Sequence, residues 1–179
     1  MIFKTISQKI VWSCPWYSVR QDEIVLPDGR PGVYNVVQKE AAVWVLPVTK
    51  EKQIALIRSY RYTVDDWCWG IPAGSLKTGQ SPANAARSEL AEEVGGQAGL
   101  LEYLGQSYMA NGICDEVGHF FLAMDVTLSE PAHEAAEVIE VHLKSIPEVL
   151  KMARANEIND APSALVILLC AGRLEVLAG

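Results

Sequence analysis

The chain has 179 residues, of which 50% are apolar, enough for one domain with a sizeable core and a small extra lobe but not for two full domains. A formal net charge of −7 argues against a protein that lives on nucleic-acid phosphates or anionic membranes, since both demand a basic surface. Cys14, Cys68, Cys114 and Cys170 lie far apart with no C-x-x-C pair, so neither a zinc knuckle nor a disulfide framework is indicated, and a reducing cytoplasm is expected.

In chain order, the first twelve residues carry only Lys4 and Lys9 as basic groups and lack the apolar run followed by small residues of a signal peptide. "DEIVLPDGRPGVYNVV" places two β-rich runs around Asp28-Gly29, a hairpin signal because these residues tolerate the positive φ of tight turns. "AAVWVLPVT" and "QIALIRSYRY" flank Lys50-Glu51-Lys52 and read as a second strand pair. "WGIPAGSL" reads as a structured loop, because its proline and two glycines interrupt any regular element. A helix then starts at Ser81, a good N-cap followed by Pro82, and stops at Gly95-Gly96. "LLEYLGQSYM" and "GHFFLAMDV" are expected strands joined by a polar loop from Ala110 to Glu116, and "IEVHLKSI" is another. Helices are expected from about Pro147 to Ala155 and from Pro162 to about Leu174. The longest apolar stretch, Ala164 to Gly172, falls far short of the roughly 20 residues that span a bilayer, so a soluble chain is expected. The class is α+β with mostly antiparallel strands.

The helix after Ser81 poses a physical problem. Glu89, Glu92 and Glu93 are three and four residues apart and share one face, where each like-charge pair costs an isolated helix roughly 0.2–0.5 kcal/mol. Ala83, Ala86, Leu90 and Val94 form an apolar stripe on the other side, expected to anchor the helix. A solvated surface is the usual fate of such a charge run. The alternative is a divalent cation: hard ions such as Mg²⁺ take oxygen ligands and are commonly held by a few carboxylates together with substrate phosphates. An acidic protein could then bind an acidic substrate.

From Gly74 the chain runs Gly, five residues, Gln80, seven residues, then Ser88-Glu89-Leu90-Ala91-Glu92-Glu93-Val94-Gly95. This register resembles the Nudix box, which reads Gly, five residues, Glu, seven residues, Arg-Glu, an apolar residue, any residue, Glu-Glu, any residue, Gly and an apolar residue. The departures are Gln80 for Glu, Ser88 for Arg and Gly96 for the apolar residue, and Gly70 stands where many relatives have Glu in a "W-E-x-P-A-G" loop. "PWYSVRQDEIVLPDGRPGVY", "SYRYTVDDWCWGIPAG", "MANGICDEVGHFFLA" and "EAAEVIEVHLKSIPEVL" extend the resemblance to the branch of ADP-ribose pyrophosphatases and other nucleoside-diphosphate-sugar hydrolases, although some members have Pro where Asn111 stands.

The resemblance implies a Nudix-type α/β/α sandwich of mixed, mostly antiparallel sheets. It also implies a β-strand segment over residues 1–40 that helps to form a homodimer, and a catalytic domain over residues 41–179. Glu89, Glu92, Glu93 and the carbonyl of Ala73 would hold Mg²⁺, with Mn²⁺ as the alternative ion. An acidic loop near His133 to Glu137 would reach over the metal, so that Glu137, with Glu134 and Glu116 as alternatives, would orient or deprotonate the attacking water, with Glu93 in the same catalytic cluster. Arg61 or Arg58 would contact the diphosphate, a task for a planar fork of donors, but residues three apart on a strand face opposite ways and cannot both do so. Trp16, Tyr17 and Trp67 are candidate platforms for a base or ribose. His119, His133 and His142 show no metal-ligand spacing. The implied activity is hydrolysis of the pyrophosphate bond of a nucleoside diphosphate linked to a sugar, with a catalytically impaired nucleotide-binding or regulatory module as the alternative. No nucleic-acid or membrane partner is expected.

Overall fold

The Asp28-Gly29 signal marks a real turn: Gly29 takes φ +86°, Leu26 donates to and accepts from the turn backbone, and Asp28 accepts from the Arg30 N–H at 3.1 Å. The strands that it joins are β2 (Ser18–Val25) and β3 (Pro31–Gln38), preceded by β1 (Lys4–Ser13), in an antiparallel sheet of order β1-β2-β3. The computed structural model describes residues 2–133 and 138–179, and the chain divides into two units. This sheet belongs to the first, which runs to Ala41 and also takes in Ser107–Val117. That later segment is tied to β3 by Val37 donating to Ile113 at 2.7 Å and Asp115 donating to Val37 at 3.1 Å. Within the sheet, Arg20 grips the buried Asp22 through Nε at 2.8 Å and Nη2 at 3.0 Å, and this guanidinium holds the Asp22 carboxyl below the usual carboxylate range. Every residue of β1 is exposed.

The second unit, residues 42–106 and 118–179, carries the remaining elements, apart from the strand-end residues Ser107, Tyr108 and Val117. In chain order these are β4 (Ala42–Thr49), β5 (Gln53–Arg61), β6 (Asp66–Gly70), β7 (Ala73–Ser75), α1 (Pro82–Val94) and β8 (Gly96–Gln97). There follow β9 (Leu100–Tyr108), β10 (Val117–Leu128), β11 (Ile139–Ser145), α2 (Ile146–Arg154), α3 (Ala161–Leu169) and α4 (Ala171–Ala178). The main sheet has the order β11-β5-β4-β10-β8, with β6 beside β5, β7 beside β4 and β9 beside β10. Only β4 and β10 run parallel among the registered pairs, from Ala42↔Gly118 to Thr49↔Val126. Alternation along the strands sends Val43, Val45, Ala55, Ile57, Phe121 and Ala123 into a core with Ala85, Ala86, Leu90 and Val94 of α1. Trp44, between two of those positions, points the other way and meets the Asp160 carboxylate before α3 at 3.3 Å. The sheet is therefore covered by α1 on one face and by the C-terminal helices on the other.

Local signals hold for α1. Ser81 Oγ accepts from the Asn84 N–H at 3.3 Å, Pro82 opens the helix, and Gly95 ends it at φ +64° while donating to Ala91 at 3.0 Å. Three expectations need correction. "WGIPAGSL" is not a loop throughout: it carries the end of β6 and all of β7, because the period-two run Asp66-Trp67-Cys68-Trp69-Gly70 pairs with β5 from Arg61↔Asp66 to Ile57↔Gly70. The last helix is two, α3 and α4, bent by 60°, with α4 anchored by Arg173 on both oxygens of Glu102 at 2.7 Å. Glu93 is not on the side away from the apolar stripe but is buried beside Leu90 and Val94. Among the described residues no single helix is long and apolar enough to cross a membrane.

Candidate active site

The caps of α1 set the rotation of its glutamates against the β6–β7 segment. Glu93, only 4% exposed, accepts the Ala73 N–H at Oε2 over 2.8 Å. One turn earlier, the Glu89 carboxylate lies against the Cα of Gly74, so closely that a Cβ at that position would overlap it. Two carboxylates four residues apart thus converge on the dipeptide Ala73-Gly74. Their mutual repulsion is offset in part by the backbone donor, a charge-assisted hydrogen bond of the stronger kind. Glu92 is half-buried, and its carbonyl accepts the Ala132 N–H at 2.9 Å.

The segment after β10 closes the C-terminal end of α1. Ser129 donates to the Gly95 carbonyl from its N–H at 2.8 Å and its hydroxyl at 2.9 Å, and His133 donates from Nε2 to the Glu93 carbonyl at 2.8 Å. The helix's last carbonyls, which have no intrahelical partner, are satisfied there. His133 is thus a capping residue, a role that no spacing in the sequence announces. Glu134 and Glu137 follow it and lie outside the described residues.

Where the box departs from the family pattern, the local geometry is informative. Gln80 Oε1 accepts the Lys77 N–H at 3.0 Å, an acceptor task that a glutamate would perform equally. Ser88 is half-buried, and Arg87 reaches back along the helix to the Ala83 carbonyl at 3.2 Å, away from the acidic face. Ala55 and Ile57 of β5 face α1, so alternation puts Arg61 on that side and Arg58 on the other. Arg58 sits with its guanidinium 5.2 Å from the Trp67 ring centre and 5.7 Å from that of Trp69, and 3.8 Å from Glu140. Trp67 also meets Tyr60 edge-on at 6.0 Å. The remaining candidates belong to the first unit. Trp16 is 76% exposed and Tyr17 packs on Trp12 at 5.1 Å; both line a cavity of about 400 Å³ with Lys39 and Asp115. Glu116, also of the first unit, is buried and paired with Lys39 Nζ at 2.6 Å. Asn111 is exposed in the same unit. His119 lies against Tyr103, where burial lowers its pKa.

Among the described residues no three His, Cys, Asp or Glu side chains gather as a ready-made metal cage. The donor set that does converge, Glu89 and Glu93 at the Ala73-Gly74 backbone, is all oxygen. It suits Mg²⁺, which keeps several waters and is bound through one or two carboxylates plus substrate phosphates rather than by a full protein cage. The residues fit such an ion.

Comparison with known proteins identifies the family. Residues 38–165 match the NUDIX domain and residues 3–37 the nucleoside diphosphate sugar hydrolase N-terminal domain. An ADP-ribose pyrophosphatase of Bacillus subtilis is 31% identical over 166 residues, covering 92% of this chain and 90% of the relative. A methanol dehydrogenase activator of Bacillus methanolicus is 26% identical with the same coverage, 92% and 90%. The crystal structure of an ADP compounds hydrolase superposes with a TM-score of 0.85 at 20% identity, over 99% of this chain and 96% of that one, which shows a common fold. With its caps, its glutamate-bearing helix and both matched segments in place, the chain belongs to the Nudix hydrolase family, in the branch that carries the nucleoside diphosphate sugar hydrolase N-terminal domain.

Proposed function

We propose that this hydrolase cleaves the pyrophosphate bond of a nucleoside diphosphate linked to a sugar, ADP-ribose or a nucleotide sugar, in a Mg²⁺-dependent reaction, with Mn²⁺ as a substitute ion. The observation that carries this reading is the convergence of Glu89 and Glu93 on Ala73-Gly74. Glu89, Glu92, Glu93 and the Ala73 carbonyl would hold the ion, which when bound supplies charge neutralisation at the diphosphate and a more acidic water. In the reaction a water oxygen forms a bond to one phosphorus and the bridging P–O bond breaks. The bridging oxygen leaves on the second phosphate, and the water proton passes to a base. The products are a nucleoside monophosphate and a sugar phosphate. Glu137 is the proposed base, with Glu134 and Glu116 as alternatives; the Glu116 carboxylate already has a cation partner in Lys39, which favours a carboxylate from the 134–137 segment. Arg61, on the α1 side of β5, is the better diphosphate ligand, because Arg58 is engaged by Trp67, Trp69 and Glu140. Trp16 and Tyr17 are proposed ring platforms for the base or ribose; Trp67, the third candidate, is the weaker one, because its ring is packed against Arg58 on the face of β5 away from α1.

We further place the protein in the cytoplasm, which suits four cysteines that are all free thiols, and as a homodimer formed through residues 1–40, with residues 41–179 as the catalytic domain. The dimer is supported by β1, whose Ile6, Ile10, Val11 and Trp12 are all exposed. The second reading, a nucleotide-holding module with catalysis lost, is favoured by Ser88, which leaves the acidic face without the arginine of the family box.

The deciding experiment is a product assay on ADP-ribose and a panel of nucleotide sugars, with Mg²⁺ and with chelator. Turnover in Mg²⁺ is expected, with Glu93→Gln lowering kcat by on the order of 10²-fold, the usual cost of removing a preorganised charge-stabilising group. No product from any substrate, together with tight binding of one of them, would establish the holding module instead.

A further inference from the structure

The backbone between β6 and β7 is held by three elements remote in sequence. The buried Ile71 donates its N–H to Ser163 Oγ at 3.1 Å, the Pro72 carbonyl accepts from Val45 at 2.9 Å, and the Ala73 N–H goes to Glu93 at 2.8 Å. Ser163 is fully buried, and its hydroxyl proton goes to Asp160 Oδ2. That assignment leaves the Oγ lone pairs to accept from Ile71. The same Asp160 oxygen caps α3 through the Ser163 N–H at 3.1 Å and takes the Trp44 indole N–H at 3.3 Å. Asn159 Oδ1 accepts the Trp69 N–H at 2.9 Å. Gly70 leaves room for this arrangement, since a Cβ there would come within 3.0 Å of Ser163 Oγ.

From these contacts we infer that Asp160 and Ser163 are positioning residues for the ion-binding loop, acting through Ile71 and Pro72 on Ala73. Proline fixes φ, so the three residues from Ile71 to Ala73 behave as a short stiff lever. A shift of the Ile71 N–H is passed to the Ala73 amide, which orients the Glu93 carboxylate, and to Gly74, against which Glu89 lies. The C-terminal helix layer thereby sets the geometry of carboxylates on the opposite face of the sheet. Neither Asp160 nor Ser163 need touch the substrate. The inference rests on the reading that Glu89, Glu93 and Ala73 hold the cation.

The test uses the full chain with Mn²⁺ alone as probe, its binding followed by electron paramagnetic resonance without nucleotide, alongside kcat and KM for the best substrate. Ser163→Ala is expected to weaken Mn²⁺ binding about tenfold and to lower kcat by a similar factor with KM little changed, within the usual range for loss of a partner that orients a ligand. Hydrogen exchange at the Ile71 and Ala73 amides should quicken. Ser163→Thr, which keeps the hydroxyl, should restore most of the Mn²⁺ affinity. If Ser163→Ala lacks a cooperative melting transition, Asp160→Asn takes its place, because it keeps one N-cap acceptor oxygen while removing the charge and turning the second oxygen into an amide donor. Mn²⁺ affinity and kcat within twofold of wild type in the folded variant would overturn the inference, provided that Glu93→Gln does abolish Mn²⁺ binding. Wild-type Mn²⁺ binding in Glu93→Gln would instead overturn the cation-site reading itself.

Discussion

Glu93 keeps a carboxylate where there is almost no solvent to hydrate it. Its side chain lies beside Leu90 and Val94 in the α1 stripe, and the Ala73 N–H supplies a fixed dipole in place of water. A buried acceptor satisfied in this way is preorganised, because it has no hydration shell to rearrange when a cation and a diphosphate arrive. Gly74 has the complementary role of permitting the Glu89 carboxylate to approach the backbone itself. Gly74→Ala should therefore displace either the carboxylate or the loop, raising the Mg²⁺ concentration for half-maximal activity by roughly 10-fold or more. An unchanged Mg²⁺ titration would mean that Glu89 is no ligand. The spacing of Glu89, Glu92 and Glu93 was legible in the sequence, as was the acidic-site alternative. That Glu93 is buried was not, since the residue lies at the edge of the apolar stripe and only the packed sheet decides which flank is covered.

At the scale of elements, α1 is specified almost entirely by its ends. Ser81, Pro82 and Gly95 satisfy or remove orphan backbone groups within one turn, so their effect needs no tertiary context. Gly95 has a second duty that does: a side chain there would overlap the Ser129 carbonyl, so the helix stop doubles as the seat of the segment that leads to residues 134–137. Gly95→Ala would combine a left-handed backbone, worth about 1–2 kcal/mol for a non-glycine residue, with that overlap. A fall in thermal midpoint is expected, with slower turnover measured at a temperature where the variant is still folded; an unchanged midpoint would show that Ser129 yields freely. The β6 and β7 strands escaped notice because Pro72 and two glycines dominate the local signal. Their pairing with β5 and β4 supplies hydrogen bonds from residues that no short window contains. The α3–α4 bend was hidden for a similar reason: the apolar run is continuous, and the Arg173–Glu102 pair joins residues 71 apart.

Over the whole molecule, the three-stranded sheet of the first unit carries an entire strand in which every residue is exposed. Such an edge is a ready template for pairing with another chain and is ordinarily blunted or covered. Sedimentation at micromolar concentration is expected to give a dimer, and Ile6→Lys with Ile10→Lys together should shift it to monomer. A wild-type monomer at that concentration would remove the proposed dimer.

Local signals alone determined the hairpin, the caps of α1, the acidic register from Glu89 to Glu93 and the strand alternation, because each is set by dihedral preferences or by neighbours within a turn or two. They also left Arg58 and Arg61 as mutually exclusive diphosphate ligands. Tertiary structure decided which face each occupies, by packing Ala55 and Ile57 on α1 and stacking Arg58 against two tryptophans. It decided equally that Ser163 holds Ile71 across 92 residues of chain. Contacts of that separation exist only once the sheet has brought distant segments together, and a buried N–H must then find whatever acceptor the neighbouring layer provides.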